Sequence, residues 1–283
     1  MISPAGGPSI RVAHLEVPGA RLRYEVSGVG PVLLLIPGAA ADAAAFAGIA
    51  PSLRDRFTVV AYDPRGTCRS PQRGPSSDIT VQVQADDAHR LLTELGRGQA
   101  TVLGSSAGAV TGLELVARHP EQVRCLIAHE PPVTQLLPDA AQHRAGAAEL
   151  QALHRDKGVG AALARFLADN GLDAGADSGT AAPQAAAGPE EEATHTRFLN
   201  NLDVFFAHVI APLNRYRPDV SSLRRASTRL IVAAGTESVG QLPYRAAGVL
   251  ADALMVPLTE LPGDHRGFVY QPEPFARALD RLL

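Results

Sequence analysis

The sequence predicts an α/β fold built on a doubly wound, mostly parallel sheet, and three observations support this prediction. Short continuous apolar runs recur along the chain, as expected of parallel strands that are covered on both faces. Helix-like stretches separate these runs, which favours right-handed strand–helix–strand crossovers. The length of 283 residues, 46% of them hydrophobic, suits one large domain or a core with a small insertion. The apolar runs are Val32–Ile36, Phe57–Ala61, Thr101–Leu103 and Val123–Ile127.

An antiparallel hairpin is predicted at one edge of this sheet. Residues 12–17 and 22–26 alternate between apolar and polar side chains, and Pro18-Gly19 separates them. Helices are expected near residues 42–54, 80–95 and 107–118, between the apolar runs.

The strand pattern stops between about residues 131 and 223, which predicts a helical insertion. Amphipathic segments occur there at 140–153, 160–168 and 194–209. Residues 170–193 are rich in Gly, Ala, Asp, Pro and Glu, so we expect a mobile loop. The aromatic residues of the insertion are expected either to pack its helices or to form a hydrophobic substrate wall; they are Phe198, Phe205, Phe206 and Tyr216.

Residues 1–130 and 224–283 are predicted to form the core around this insertion. After the insertion, strands are expected at 229–234 and 255–260, with helices near 241–252 and 272–283.

Composition argues against several classes of partner. A formal net charge of −3 offers no basic stripe for a nucleic acid. No apolar run approaches the roughly 20 residues that span a bilayer, and the first ten residues lack a signal-peptide pattern, so we expect a cytoplasmic protein with no membrane partner.

Two cysteines, Cys68 and Cys125, agree with a reducing compartment. Metal-ligand spacing and nucleotide-binding glycine motifs are absent, so no metal and no cofactor is expected.

Residues 104–108 read Gly-Ser-Ser-Ala-Gly and match the pattern GxSxG. The pattern directly follows a predicted strand and opens a predicted helix. In this position the motif forms a sharp turn between strand and helix. Small residues allow the strand and the helix to approach closely around a strained turn. Such a turn would hold the Ser106 hydroxyl at the carboxyl edge of the sheet, beside the positive end of the helix.

Around this motif the chain resembles the α/β-hydrolase superfamily, over about residues 22–130 and 228–283. Residues 34–39 (LLIPGA) look like the strand and oxyanion turn of that family, with Pro37 at the usual His. Residues 62–70 (YDPRGTCRS) look like its DxRGxGxS loop, with Cys68 at a usual Gly. Residues 263–268 (GDHRGF) resemble the loop that carries its catalytic histidine.

The resemblance implies a nucleophile, a base and an acid in that order along the chain. A serine hydroxyl needs a base to take its proton, and His265 stands where the family places that base. Most members carry the acid after the strand that corresponds to residues 229–234, but Ser238 stands at the usual spacing there and Glu237 one position earlier. A minority carry the acid after the preceding, sixth strand, where this chain has Glu130. Glu130 is therefore our first candidate and Glu237 the alternative.

The resemblance also implies an oxyanion hole made of two backbone N–H groups. These map to Ala107, the residue after the nucleophile, and to Ala39 in the turn after the third strand. The implied function is a serine esterase or lactonase that acts on a small, hydrophobic substrate. Rival interpretations are an acyl transferase, another tailoring enzyme that uses the same site for elimination or cyclisation, and a catalytically silent ligand-binding protein. The oligomeric state is left open.

Overall fold

A computed structural model of the chain describes residues 10–74, 77–172 and 188–283. Within these ranges the strands run in one sheet; they are β1 (Arg11–Val17), β2 (Ala20–Ser27), β3 (Val32–Ile36), β4 (Thr58–Tyr62), β5 (Ala100–Ser105), β6 (Val123–His129), β7 (Arg229–Gly235) and β8 (Leu258–Leu261). Their order across the sheet is β1-β2-β4-β3-β5-β6-β7-β8.

The predicted fold class is confirmed by this sheet. The edge hairpin pairs β1 with β2 in antiparallel register, and β2 joins β4 in the same way. All further pairings, from β4 to β8, are parallel. Parallel strands share one carboxyl edge, so the ends of β3, β5, β6 and β7 meet along one line.

Helices cover both faces of the sheet. They are α1 (Ala50–Leu53), α2 (Val81–Leu95), α3 (Ala107–Arg118), α4 (Ala140–Asn170), α5 (Pro189–Val204), α6 (Ile210–Arg215), α7 (Val220–Arg225), α8 (Leu242–Leu254), α9 (Gly267–Tyr270) and α10 (Pro272–Leu282). One apolar cluster joins one face of the sheet to α2, α3, α8 and the insertion, and the other joins the opposite face to α1, α9 and α10.

Two predicted elements outside the insertion differ from the observed ones. Residues 42–54 form a short 3-10 helix (Ala43–Phe46) and the single turn α1 instead of one helix. Gly48 lies between them, and a Cβ there would lie 2.8 Å from the Cβ of Pro272, so the backbone passes close to the start of α10 at this point. The predicted strand at 255–260 begins only at Leu258, because Met255 adopts a left-handed conformation that ends α8.

The helices α4 to α7 lie between β6 and β7, as the pattern predicted. α4 is broken at Gly158, whose φ of 81° and ψ of 178° are not helical. The bounds predicted for the mobile loop, 170–193, were wrong at both ends, since Asn170 still belongs to α4 and Pro189 begins α5. Proline is tolerated in the first turn of a helix, where its missing N–H has no partner to lose. The remainder of that predicted loop, residues 173–187, lies outside the described residues.

The close packing of α3 against β3 depends on Gly108. A Cβ at this position would lie 2.2 Å from the carbonyl oxygen of Ile36 and 2.5 Å from that of Pro37. Both neighbours are backbone atoms, which cannot rotate away.

We therefore expect Gly108→Ala to lower the free energy of unfolding by about 1–3 kcal/mol, the usual cost of overpacking. The matched control is Gly248→Ala in α8, where a Cβ would meet nothing within 4 Å. That change should raise the free energy of unfolding by about 0.5–1 kcal/mol, because alanine favours helix over glycine. Urea denaturation measures both. Equal stabilities for the two variants would contradict the packing argument.

Candidate active site

Ser106 lies at the sharp turn between β5 and α3. Its backbone has a φ of 54° and a ψ of −122°, which a serine adopts only under constraint from its surroundings. The Ser106 N–H donates to the carbonyl of His129 at 2.9 Å, so the end of β6 holds the turn from one side. The side chain of Ser106 is half-buried and faces a cavity. This is the strand–turn–helix context that the GxSxG pattern predicted.

His265 and Glu130 lie in hydrogen-bond contact across the end of the sheet. The Nδ1 atom of His265 lies 2.5 Å from Oε2 of Glu130. An ionised carboxylate can only accept, so Nδ1–H of His265 donates to Glu130. In the neutral ring with this tautomer, the lone pair is on the other nitrogen, Nε2. The structure therefore brings together the sequence-predicted base and the first of the two candidate acids.

The carboxylate of Glu130 is fully buried and well supported. Its Oε1 accepts from the N–H of Gly235 at 2.8 Å, and the backbone N–H of Glu130 donates to Ala233 at 2.8 Å. Burial opposes ionisation of the carboxyl group, but the hydrogen bond and charge of His265 lower its pKa to about 2. The group is therefore ionised at neutral pH.

The alternative acid, Glu237, faces solvent. Its Oε1 accepts from Nε2 of Gln271 at 2.9 Å, and its side chain is exposed. Ser238, at the spacing where the family usually has its acid, is fully buried. The Glu130 carboxylate thus enters the space beyond β7 from the neighbouring strand.

The loop that carries His265 is fastened to the end of β7. Thr236 N–H donates to Leu261 at 2.9 Å, and Glu237 N–H donates to Gly263 at 3.0 Å. A Cβ on Gly235 would lie 2.4 Å from the carbonyl oxygen of Gly263, so only glycine allows this approach. Sequence reasoning missed Gly235, whose N–H holds Glu130 and whose missing side chain admits the loop. Its only signal was its place at the end of a predicted strand.

Asp264 shapes the same loop. Its Oδ1 accepts from the N–H of Arg266 at 2.7 Å, and its carbonyl accepts from the N–H of Gly267. The Asp264 carboxylate, next to His265 in sequence, therefore accepts a hydrogen bond from the backbone of its own loop.

A second buried histidine, His129, lies beneath the site. Its Nδ1 lies 3.3 Å from the hydroxyl of Ser105, the residue before Ser106. Burial lowers the pKa of His129 to about 4, so the ring is neutral at physiological pH. Its ring packs edge-on against Phe275. His129 therefore belongs to the core under the turn.

Ala39 and Ala107 stand on two sides of Ser106. Ala107 is the first residue of α3, and the first N–H groups of a helix have no partner within that helix. Ala39 lies in the turn after β3 and lines the same cavity as Ser106 and His265. A Cβ on the preceding Gly38 would lie 3.1 Å from the Cβ of Ser106, so this turn passes directly over the serine.

The cavity has a volume of about 480 Å³ and lies between the sheet edge and the insertion. Much of its wall is apolar and comes from the insertion; it includes Leu150, Phe166, Phe205, Ile210 and Leu213. Phe206 is fully buried and packs against Phe205 at 5.0 Å between ring centroids. Among the aromatic residues of the insertion, Phe205 thus lines the cavity and Phe206 packs the helices behind it. Arg165, at this cavity, contacts Asp169 at 2.7 Å and Glu149 at 3.3 Å.

Residues 10–74, 77–172 and 188–283 contain no group of three or more His, Cys, Asp or Glu side chains placed to hold a metal ion. Within those same ranges, none of the helices has both the length and the apolar character needed to cross a bilayer.

Comparison with known proteins agrees with the fold. The family model described as alpha/beta hydrolase fold matches residues 31–221. The chain is 34% identical over 282 residues to the uncharacterized hydrolase YraK of Bacillus subtilis (strain 168), with 97% of each covered. A hydrolase from Pseudomonas aeruginosa PA01 superposes with a TM-score of 0.71 at 23% identity, covering 97% of each chain. The enol-lactonase from Burkholderia xenovorans LB400 gives 0.70 at 17% identity, covering 95% of this chain and 98% of that one. With two thirds of its length matched by the family model and a full-length relative above 30% identity, the chain belongs to the α/β-hydrolase fold family.

Proposed function

We propose that the protein is a serine hydrolase that cleaves a carboxylic ester or lactone of a small, apolar substrate. The observation that carries this proposal is the pairing of His265 with the buried Glu130 at the cavity into which the strained Ser106 faces. The insertion at residues 131–223 acts as the cap over that cavity.

In the proposed acylation step, Oγ of Ser106 attacks the substrate carbonyl carbon while Nε2 of His265 takes the hydroxyl proton. Glu130 stabilises the resulting imidazolium through Nδ1–H. The N–H groups of Ala39 and Ala107 donate to the oxyanion of the tetrahedral intermediate. The carbon–oxygen bond to the leaving alcohol then breaks, and His265 returns its proton to that alcohol.

Deacylation repeats these roles with water. His265 removes a proton from a water molecule, whose oxygen attacks the acyl-enzyme carbonyl. The bond to Ser106 Oγ breaks, and the proton passes to the serine, which releases the carboxylic acid. With a lactone, the leaving alcohol stays attached to the acyl group, so one product forms.

The preference for a small and apolar substrate is supported by the cavity. A volume of about 480 Å³ lies in the lower range of small-molecule sites. The only arginine in the described lining, Arg165, is shared between two carboxylates, so it offers no unopposed positive charge to an anionic substrate.

The nucleophile is tested first. Ser106→Ala should lower turnover of 4-nitrophenyl acetate and of γ-butyrolactone by at least about 10³-fold, since acylation needs that hydroxyl. Ser105→Ala is the matched control and should stay within a few-fold of the parent protein. Labelling by a fluorophosphonate, read by intact mass, should disappear only in Ser106→Ala. Full turnover by Ser106→Ala would overturn the assignment. Product analysis with and without added alcohol separates hydrolysis from acyl transfer.

The acid is tested by two isosteric changes. Glu130→Gln should lower kcat by up to about 10⁴-fold, because a neutral amide cannot stabilise the imidazolium of His265. Glu237→Gln should leave kcat almost unchanged, because Glu237 contacts Gln271 at the surface. Steady-state kinetics of both single variants and of the double variant measure this. A crippled Glu237→Gln enzyme beside an active Glu130→Gln enzyme would reverse the choice of acid.

A further inference from the structure

We propose that Asn201, in helix α5 of the insertion, is a positioning residue for the Ala39 N–H group of the oxyanion hole. The inference rests on the proposed function. It is carried by a chain of hydrogen bonds that runs from the Asn201 side chain through two peptide units to Ala39.

The side chain of Asn201 is held at both ends. Its Nδ2 donates to the carbonyl of Ala40 at 3.0 Å, and its Oδ1 accepts from the N–H of Cys68 at 2.8 Å. The residue is 2% exposed, so these contacts are shielded from water. One contact demands an amide nitrogen and the other an amide oxygen, which fixes the orientation of the group.

The Ala40–Ala41 peptide links the Asn201 side chain to the Gly38–Ala39 peptide. Its carbonyl accepts from Asn201, and its N–H, on Ala41, donates to the carbonyl of Gly38 at 3.2 Å. That carbonyl belongs to the Gly38–Ala39 peptide, whose own N–H is the proposed oxyanion donor. Because each peptide unit is planar, fixing its carbonyl also fixes the direction of its N–H.

The turn needs such an external restraint. Ala40 has a φ of 60°, in the left-handed region that a residue with a Cβ adopts only at a cost. Ala40 is also buried, and a buried carbonyl without a partner is costly as well. Asn201 supplies that partner. With alanines at 39, 40 and 41, the turn has no polar side chain of its own within these three residues.

The hydrogen bonds also make the Ala39 N–H group a stronger hydrogen-bond donor. A peptide whose carbonyl accepts a hydrogen bond is polarised, and its N–H becomes a better donor. Asn201 therefore acts on the oxyanion through the Ala40–Ala41 and Gly38–Ala39 peptides in sequence.

A nearby contact of the same helix provides the control. Arg197, one turn before Asn201 in α5, donates from Nε to Asp42 at 2.7 Å. Asp42 follows the turn and caps the short 3-10 helix at Ala43–Phe46, so this contact docks α5 outside the hydrogen-bond chain.

The test compares Asn201→Asp, Asn201→Ala and Arg197→Ala on 4-nitrophenyl acetate and on its thionoester, O-4-nitrophenyl thionoacetate. Sulfur accepts hydrogen bonds weakly, so a well-placed donor favours the ester over the thionoester. Asn201→Asp keeps the acceptor for Cys68, and its ionised form cannot donate to Ala40. We expect both Asn201 variants to lower kcat for the ester by about 10- to 100-fold, less than the loss of a whole donor, with KM changed less than threefold. The ratio of kcat for the ester to kcat for the thionoester should fall in parallel.

Arg197→Ala should keep the ester-to-thionoester ratio of the parent protein, even where its melting temperature falls as far as that of the Asn201 variants. Melting curves establish that each variant is folded at the assay temperature. An unchanged ratio in a folded Asn201 variant, or an equal fall in Arg197→Ala, overturns the positioning role. Failure of the proposed function would look different, because Ser106→Ala would then keep its activity and no variant would alter labelling by the fluorophosphonate.

Discussion

The strained backbone of Ser106 is the constraint on which the rest of the site depends. Its φ of 54° is held by the hydrogen bond to His129 and by the close approach of α3 to the end of β3. A residue with a side chain at Gly108 would push that helix away from β3 and shift the turn that carries Ser106. The cost of strain in one residue is offset by the packing of the surrounding strands and helices.

The position of the acid follows from the same sheet edge. Parallel strands end side by side, so a carboxylate can reach the base from β6 as well as from β7. Glu130 does so by a left-handed turn, with a φ of 49°, that sends its side chain into the space beyond β7. The N–H of Gly235 and the small side chain of Ser238 make that space suitable for a carboxylate. The chemical requirement is thus a location at the edge, which more than one strand can supply.

Sequence reasoning predicted well what depends on neighbouring residues. The edge hairpin and the buried strands follow from local periodicity, and the turn at Ser106 follows from its flanking small residues. Reasoning failed where distant packing decides: two short helices replace the single helix predicted around Gly48, where Pro272 lies against the chain. Asn201 could not be found, since its partner Ala40 is 161 residues away and an amide in an amphipathic helix looks like any solvent-facing residue. The sequence favoured Glu130 over Glu237 as the acid, and of the two carboxylates Glu130 is the buried one.

The late place of His265 in the chain has a consequence for synthesis in the cell. Synthesis starts at the N-terminus, so Ala39, Ser106, Ala107 and Glu130 leave the ribosome before the insertion. The proposed base, His265, emerges only after β7 and β8, which add to the edge of the sheet next to β6. In the proposed mechanism a nascent chain therefore carries the Ser106 hydroxyl before the base that activates it. Activation begins only when the loop that carries His265 docks against the end of β7.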